Sequence, residues 1–152
     1  ILYEAVDREL LDQRSGEGAD MTVLCTSLVT DMHSLFGCEN YFNQDIGSWD
    51  VSNVTDMSGM FTGSQFNQPI DDWDVSNVIN MAGMFMGSEF NQSISAWSVG
   101  NVTNMGQMFY DSVFNQDLSS WNVDNVTECS QFSLLNSSWT LPKPTFTNCN
   151  PD

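Results

Sequence analysis

Carboxylates are the most abundant groups in this sequence that could do chemistry. The 152 residues include 20 Asp and Glu but only 3 Lys and Arg, which gives a formal net charge of −17. Asp50, Asp72 and Asp74 fall close together in two neighbouring copies of a repeated phrase. Stacked carboxylates repel one another unless a cation or hydrogen bonds intervene, and Ca²⁺ prefers oxygen ligands. These three residues therefore indicate either a calcium site or a solvated acidic face.

Signatures of catalysis are missing from the sequence. His33 is the single histidine, and no pair of carboxylates is flanked by the apolar residues that general-acid catalysis requires. The glycines recur with the repeat and form no phosphate-binding loop. We predict that the protein is not an enzyme and that it needs no cofactor, calcium being the exception just considered.

The acidic composition also excludes two classes of partner. Nucleic acids and anionic lipids both require Lys or Arg to neutralise phosphate, and this chain has almost none. No apolar run approaches the roughly 20 residues of a transmembrane helix. We therefore expect no nucleic-acid binding and no direct insertion into a membrane.

The cysteines favour an extracellular protein. The four cysteines lie toward the two ends and lack the close spacing of a zinc knuckle. We favour disulfides Cys25–Cys38 and Cys129–Cys149, the alternative being four reduced thiols. The chain opens at Ile1 without Met, as a processed product or a fragment would. Candidate N-glycosylation sequons occur at Asn53, Asn91, Asn101, Asn125 and Asn136.

These residues are set in a repeat of 24 residues. The phrase Phe42-Asn43-Gln44 returns at Phe66, Phe90 and Phe114, and a Trp, an Asn-Val pair and a Met-x-x-Met-Phe phrase return with it. Such a period is typical of one turn of a solenoid. The apolar spacing from Ile46 to Val54 predicts a short strand, and that from Val54 to Phe61 predicts a short helix ended by Gly63.

The sequence thus predicts an α/β fold, a leucine-rich-repeat-like solenoid with five turns of short parallel strand plus short helix and with N- and C-terminal caps. Residues 1–20 form an N-terminal capping helix, with Val6, Leu10 and Leu11 on one face of Tyr3–Gln13. Residues 21–135 form the repeat solenoid, and residues 136–152 form the C-terminal cap. The core of the turns contains Trp49, Trp73, Trp97 and Trp121 together with the repeated Met residues.

The segment from Phe42 to Met57, with Met60 and Phe61, resembles the repeat of about 24–25 residues found in BspA-like leucine-rich repeat surface proteins. The resemblance covers roughly residues 21–135. It implies a secreted or surface-exposed protein with a role in adhesion and protein binding. It implies no catalytic residue.

The outward positions of the predicted strands are the candidate binding residues. Any binding there would be weak, polar or cation-mediated, because the face lacks exposed aromatics and Arg. The candidates are Asp50, Asp72, Asp74, Ser98, Asn122 and Asp124, with Asp50, Asp72 and Asp74 as the calcium ligands.

Three functions remain open from the sequence. The first is a non-enzymatic extracellular repeat domain for adhesion or protein–protein assembly at a cell surface, with another extracellular protein or copies of itself as partner. The second is a calcium-assisted carbohydrate-binding module with a glycan partner. The third is an ice-binding solenoid, which needs a regular Thr or Ala array. Thr55, Thr103 and Thr127 make such a row, but Ile79 interrupts it.

Overall fold

A computed structural model describes residues 3–39 and 41–152. Regular secondary structure is confined to the N-terminal part of the described chain. Two short strands, β1 and β2, pair in parallel, with Glu4 opposite Leu24 and Ala5 opposite Cys25. The elements in chain order are β1 (Glu4–Ala5), α1 (Arg8–Gly16), a 3-10 turn (Met21–Val23) and β2 (Leu24–Cys25).

Helix α1 covers the first end of the core. It begins at Arg8 because the Asp7 side chain accepts a hydrogen bond from the Leu10 N–H at 3.0 Å. Leu11 is fully buried, as is Val6 just before the helix. The helix lies later in the chain than the predicted Tyr3–Gln13, because Glu4 and Ala5 pair with β2 instead. Ile1 and Leu2 of the predicted cap lie outside the described residues.

The prediction of a five-turn α/β solenoid is wrong. α1 is the one α-helix in residues 3–39 and 41–152, and β1 and β2 are the two strands. From Thr26 onward the described chain consists of turns and loops. Parallel β-pairing between successive repeats is limited to isolated single-residue bridges. These are Asp31–Asp56, Asp56–Asn80, Asn80–Asn104 and Asn104–Glu128.

Left-handed backbone positions prevent the predicted helices. Gly59 lies inside the predicted helix with a φ of 65°, and Gly63 follows with a φ of 64°. An α-helix of L-residues cannot pass through that region. The apolar residues Val54, Met57, Met60 and Phe61 are buried as a helix face would be, but a series of turns buries them.

Tight turns likewise replace the predicted strands. The Trp49 N–H donates to the carbonyl of Ile46 at 3.0 Å, and the Val54 N–H donates to the carbonyl of Val51 at 2.9 Å. Each is a four-residue β-turn, closed by a hydrogen bond from the last residue to the first. The segment from Ile46 to Val54 therefore changes direction twice where an extended strand was expected.

Successive repeats lie against one another through backbone hydrogen bonds that run across the repeats. Met57 donates to the carbonyl of Asn80 at 2.9 Å, and Phe61 donates to that of Met84 at 2.9 Å. Gly59 and Gly63 donate to the following repeat in the same way, so four such bonds join these two repeats. The equivalent four bonds form at each later junction as far as the repeat that begins at Leu118. Every repeat therefore offers N–H groups to the next repeat and carbonyl groups to the previous one.

The core consists of columns of identical side chains, as the sequence predicted for Trp and Met. Trp73 is 3% exposed, and its indole ring is parallel to that of Trp97 with centroids 6.4 Å apart. Its Nε1 donates to the carbonyl of Ile46 at 3.2 Å, so the buried indole N–H is satisfied. Trp49, Trp97 and Trp121 make the equivalent bond to an earlier repeat.

The cysteines form one disulfide. Cys129 and Cys149 are joined, which fixes the C-terminal tail to the last repeat. The predicted disulfide between Cys25 and Cys38 is absent, and both thiols are free. Cys25 lies in β2 at the start of the first repeat, whereas Cys38 is an exposed residue that donates its N–H to the carbonyl of Thr62 at the other end of that repeat.

Candidate functional site

The predicted strand-face residues have a local structural role in the turns. Asp50 Oδ1 accepts hydrogen bonds from the N–H of Ser52 at 3.0 Å and from its hydroxyl at 2.6 Å. These hydrogen bonds lower the pKa of Asp50 below its ordinary value. Asn122 Oδ1 accepts from the N–H of Asp124 at 3.0 Å in the same manner. A short acceptor two residues before an N–H stabilises a turn, which explains why this position holds Asp in two repeats and Asn in another.

Asp74 repeats this arrangement, since its Oδ1 accepts from the N–H of Ser76 at 3.1 Å. Hydrogen bonding to Ser76 lowers the pKa of Asp74 as well. Asp72 is exposed in a surface groove of about 380 Å³ that Asp45 and Ser48 also line. Ser98, the remaining candidate on this face, is exposed.

The proposed calcium ligands do not form a compact site. Within the described part of the chain, no group of three or more His, Cys, Asp or Glu side chains is close enough to hold a metal ion. Asp50 and Asp74 already satisfy Oδ1 within their own turns. The geometry therefore gives the calcium hypothesis no support, and calcium binding stays a prediction.

A second surface, which we call the ladder face, consists of two columns of exposed side chains on either side of a buried Val. One column contains Asn53, Asn77, Asn101 and Asn125, and the other contains Thr30, Thr55, Ile79, Thr103 and Thr127.

Hydrogen bonds to the preceding repeat hold each Asn of the ladder face. The Nδ2 of Asn77 donates to the carbonyl of Ser52 at 2.7 Å, and that of Asn101 donates to the carbonyl of Ser76 at 2.7 Å. Asn53 and Asn125 make the equivalent bond, and Asn148 of the tail extends the series by one more. A stacked amide thus pairs a carbonyl that each bend would otherwise leave free.

Backbone hydrogen bonds hold the Thr column in register. The N–H of Ile79 donates to the carbonyl of Thr55 at 2.9 Å, and the N–H of Thr103 donates to the carbonyl of Ile79 at 2.9 Å. Thr55 and Thr127 are joined to their preceding neighbours in the same way. None of the 20 Asp and Glu of this acidic chain occupies either column, so the ladder face carries no charge.

The third surface, which we call the C-terminal edge, is formed by the backbone of residues 131–135. At the preceding junction Gln107 donates its N–H to the carbonyl of Ser130 at 2.9 Å, and Asp111 donates to that of Leu134 at 2.9 Å. The equivalent N–H groups of Gln131, Ser133 and Leu135 donate to no acceptor among the described residues. These three amides would meet another repeat if the series continued.

Exposed leucines lie along the C-terminal edge. Leu134 is 43% exposed and Leu135 is 60% exposed. Val113 is also exposed and lies beside them, because Asn136 Nδ2 donates to the Ser112 hydroxyl at 3.1 Å and to the carbonyl of Phe114 at 3.0 Å. Apolar side chains next to unpaired backbone donors are the features of a docking surface.

At the opposite end of the stack, an arginine side chain pairs two of the outward carbonyls. Arg8 in α1 donates to the carbonyls of Asp31 at 3.2 Å and His33 at 2.9 Å. These are the carbonyls that an earlier repeat would meet, as Asp56 and Ser58 meet Met32 and Ser34. One guanidinium thus replaces two backbone donors, and a charged donor makes the stronger hydrogen bond. The two ends therefore differ in how much of their backbone is open.

Comparison with known proteins identifies a family. A family described as "Mycoplasma protein of unknown function, DUF285" matches residues 9–112 and 75–140, which together span most of the chain. The chain belongs to the DUF285 family. No curated protein and no solved structure matches it.

The structure separates the five sequons of this DUF285 protein. Asn53, Asn101 and Asn125 are exposed in the ladder face, and each uses Nδ2 in one hydrogen bond. Asn136 is buried and its Nδ2 makes two hydrogen bonds, so it cannot carry a glycan in the folded protein. Asn91 accepts hydrogen bonds from Asn115 and Gln116 through its Oδ1. A glycan on its Nδ2 would leave these two bonds in place.

Sequence reasoning missed the C-terminal edge. The signal was present, because Leu134 and Leu135 replace Tyr110 and Asp111 of the preceding repeat and so place two apolar residues at exposed positions.

In the part of the chain that the structure describes, no helix is both long and apolar enough to cross a membrane.

Proposed function

We propose that this DUF285 protein is a non-enzymatic, extracellular repeat domain that binds other proteins, in adhesion or in assembly at a cell surface. The observation that carries the proposal is the C-terminal edge. It combines open backbone donors at Gln131, Ser133 and Leu135 with exposed leucine side chains.

The unpaired backbone N–H groups of the C-terminal edge favour the binding of an added chain. Burying an unpaired backbone N–H group without an acceptor costs free energy. A row of such groups is therefore a template for pairing with an added chain. Main-chain hydrogen bonds of this kind contribute affinity, while flanking side chains determine which partner fits. Leu134 and Leu135 are the side chains in that position.

The resemblance to BspA-like leucine-rich repeat surface proteins supports the same function. It favours a secreted or surface-exposed location and an extracellular protein as partner. The high negative charge favours partners with neutral or basic surfaces, and it opposes association of copies at low ionic strength.

The test is a retention assay on cells of the source organism. Fluorescently labelled protein is applied, washed, and measured by flow cytometry as wild type and as the double variant Leu134→Glu with Leu135→Glu. We expect the double variant to lose retention, because two carboxylates on the edge oppose burial against a partner.

Leu28→Glu is the matched control, since Leu28 is also exposed but lies at the other end of the repeats. We expect it to bind as the wild type does. Equal retention of all three proteins would place adhesion elsewhere on the molecule, and no retention of the wild type would contradict the proposal.

A further inference from the structure

The ladder face does not take part in the function proposed above, and it has its own regularity. Its side chains repeat once per 24-residue unit, and the backbone bonds that join neighbours in the Thr column are all 2.8–2.9 Å long. Hydrogen-bonded neighbours of this kind lie about 4.8 Å apart. We infer that the ladder face binds the surface of ice.

Order in the side chains is the first requirement for such binding. The Thr55 hydroxyl donates to the carbonyl of Thr30 at 3.3 Å, and the Thr103 hydroxyl donates to that of Ile79 at 3.3 Å. Thr127 repeats this bond, and the Asn side chains are held by their own bonds. Rotamer freedom is therefore lost on folding and costs nothing further on binding.

Neutrality is the second requirement. A charged side chain orients the water around it and disturbs the lattice of an ice crystal. The ladder face has no charged residue, although the chain as a whole carries a net charge of −17. The two columns therefore stay uncharged along their full length, although acidic residues such as Asp124 and Glu128 flank them in the chain.

Ile79 interrupts the row of Thr hydroxyls, as the sequence predicts, but it does not interrupt the backbone of the column. Its N–H and carbonyl keep the same two backbone bonds as a Thr at that position. Ile and Thr are both β-branched, so a methyl group is retained at the same place on the side chain. The column therefore presents five β-branched residues in register, Thr30, Thr55, Ile79, Thr103 and Thr127.

A crystal surface suits this face better than a sugar or a small molecule does. Small-molecule sites are concave and are lined by apolar and aromatic side chains. The four Trp of the repeats are all buried, and the ladder face contains no aromatic residue. A lattice that repeats at fixed spacing can contact every row at once, so many weak contacts add up.

The experiment measures thermal hysteresis and ice recrystallisation on the full chain produced without N-glycans, because three sequons lie in the face. Ile79→Lys places a charge in the middle of the Thr column without removing a side-chain hydrogen bond. Leu141→Lys is the matched control, since Leu141 is 43% exposed compared with 50% for Ile79 and lies in the C-terminal tail.

We expect thermal hysteresis from the wild type, its loss in Ile79→Lys, and wild-type activity in Leu141→Lys. Ile79→Thr completes the row and is expected to keep the activity or raise it. Absence of hysteresis and of recrystallisation inhibition in folded wild type would overturn the inference. So would equal activity of Ile79→Lys and wild type, or binding to a glycan array without any effect on ice. Each of these outcomes leaves the function proposed for the C-terminal edge standing, since that function is tested at Leu134 and Leu135.

Discussion

Replacement of Gly83 by Ala tests the left-handed backbone on which the repeats depend. Gly83 has a φ of 61° and donates its N–H to the carbonyl of Gly106 at 2.8 Å. An added Cβ would meet the Thr62 hydroxyl at 3.9 Å and the Met86 Cβ at 4.0 Å, which are ordinary contacts. The cost of the substitution therefore comes from the backbone conformation and not from a clash.

The loss of stability expected for Gly83→Ala therefore depends on the backbone conformation alone. The left-handed region costs an L-residue about 1–2 kcal/mol relative to glycine. Ala also restricts the unfolded chain, which returns about 0.4–1 kcal/mol. We therefore expect Gly83→Ala to lower the free energy of unfolding by about 1 kcal/mol, equivalent to a fall in Tm of about 2–4 °C for a chain of this size.

Gly100→Ala is the matched control. No heavy atom lies within 4 Å of a Cβ added at Gly100, and its φ is outside the left-handed region. We expect it to be neutral or slightly stabilising. Urea unfolding followed by tryptophan fluorescence measures both variants against the wild type. If both glycines tolerate Ala equally, the assignment of Gly83 to the left-handed region is wrong, and with it the reason given for the absence of helices.

Three further predictions use the same unfolding assay. Trp73→Ala should lower the free energy of unfolding by about 3–5 kcal/mol, because it empties a packed position beside the indole ring of Trp97; a near-neutral result would contradict the core assignment. Removal of the Cys129–Cys149 disulfide by Cys149→Ser should cost about 3 kcal/mol, since the bond closes a loop with a sequence separation of 20; reductant should then have no further effect on that variant. Hydrogen bonds from Ser52 hold the pKa of Asp50 below its ordinary value of 3.8, so their stabilisation is present above that pH and is lost as the pH falls through the folded-state pKa. Asp50→Asn keeps the Oδ1 acceptor without its charge, so this variant should lose less stability than the wild type on acidification; an acid sensitivity equal to that of wild type would show that this turn does not respond to pH.

Apolar spacing predicted the core but could not fix the backbone path. Val54, Met57, Met60 and Phe61 are buried, and their spacing is that of one helix face. A chain of turns with a left-handed residue at Gly59 buries the same four side chains. Burial depends on which side chains are apolar, whereas helix formation depends on where the N–H groups find acceptors. In this protein the acceptors lie in the next repeat.

For the candidate binding surfaces, too, the sequence identified the residues and the structure showed their hydrogen-bond partners. The sequence identified the row of Thr55, Thr103 and Thr127 and its interruption at Ile79. The backbone bonds of Ile79 show that the backbone of this column is nevertheless continuous. Asp50 and Asp74 were expected to face a ligand, and the hydroxyl and N–H groups two residues later turn out to be their partners.

By itself, the sequence determined the period of the repeat, the residues of its core, the acidic surface and the absence of charge from two columns. These features depend on residue type at a given position, which is directly visible in the chain. Only the tertiary structure decided which backbone groups at the two ends of the repeats find partners. Arg8 reaches Asp31 and His33 across 23 and 25 residues, while Gln131, Ser133 and Leu135 find no acceptor in the described chain. A hydrogen bond between distant residues depends on how the whole chain is placed, and no local pattern specifies it.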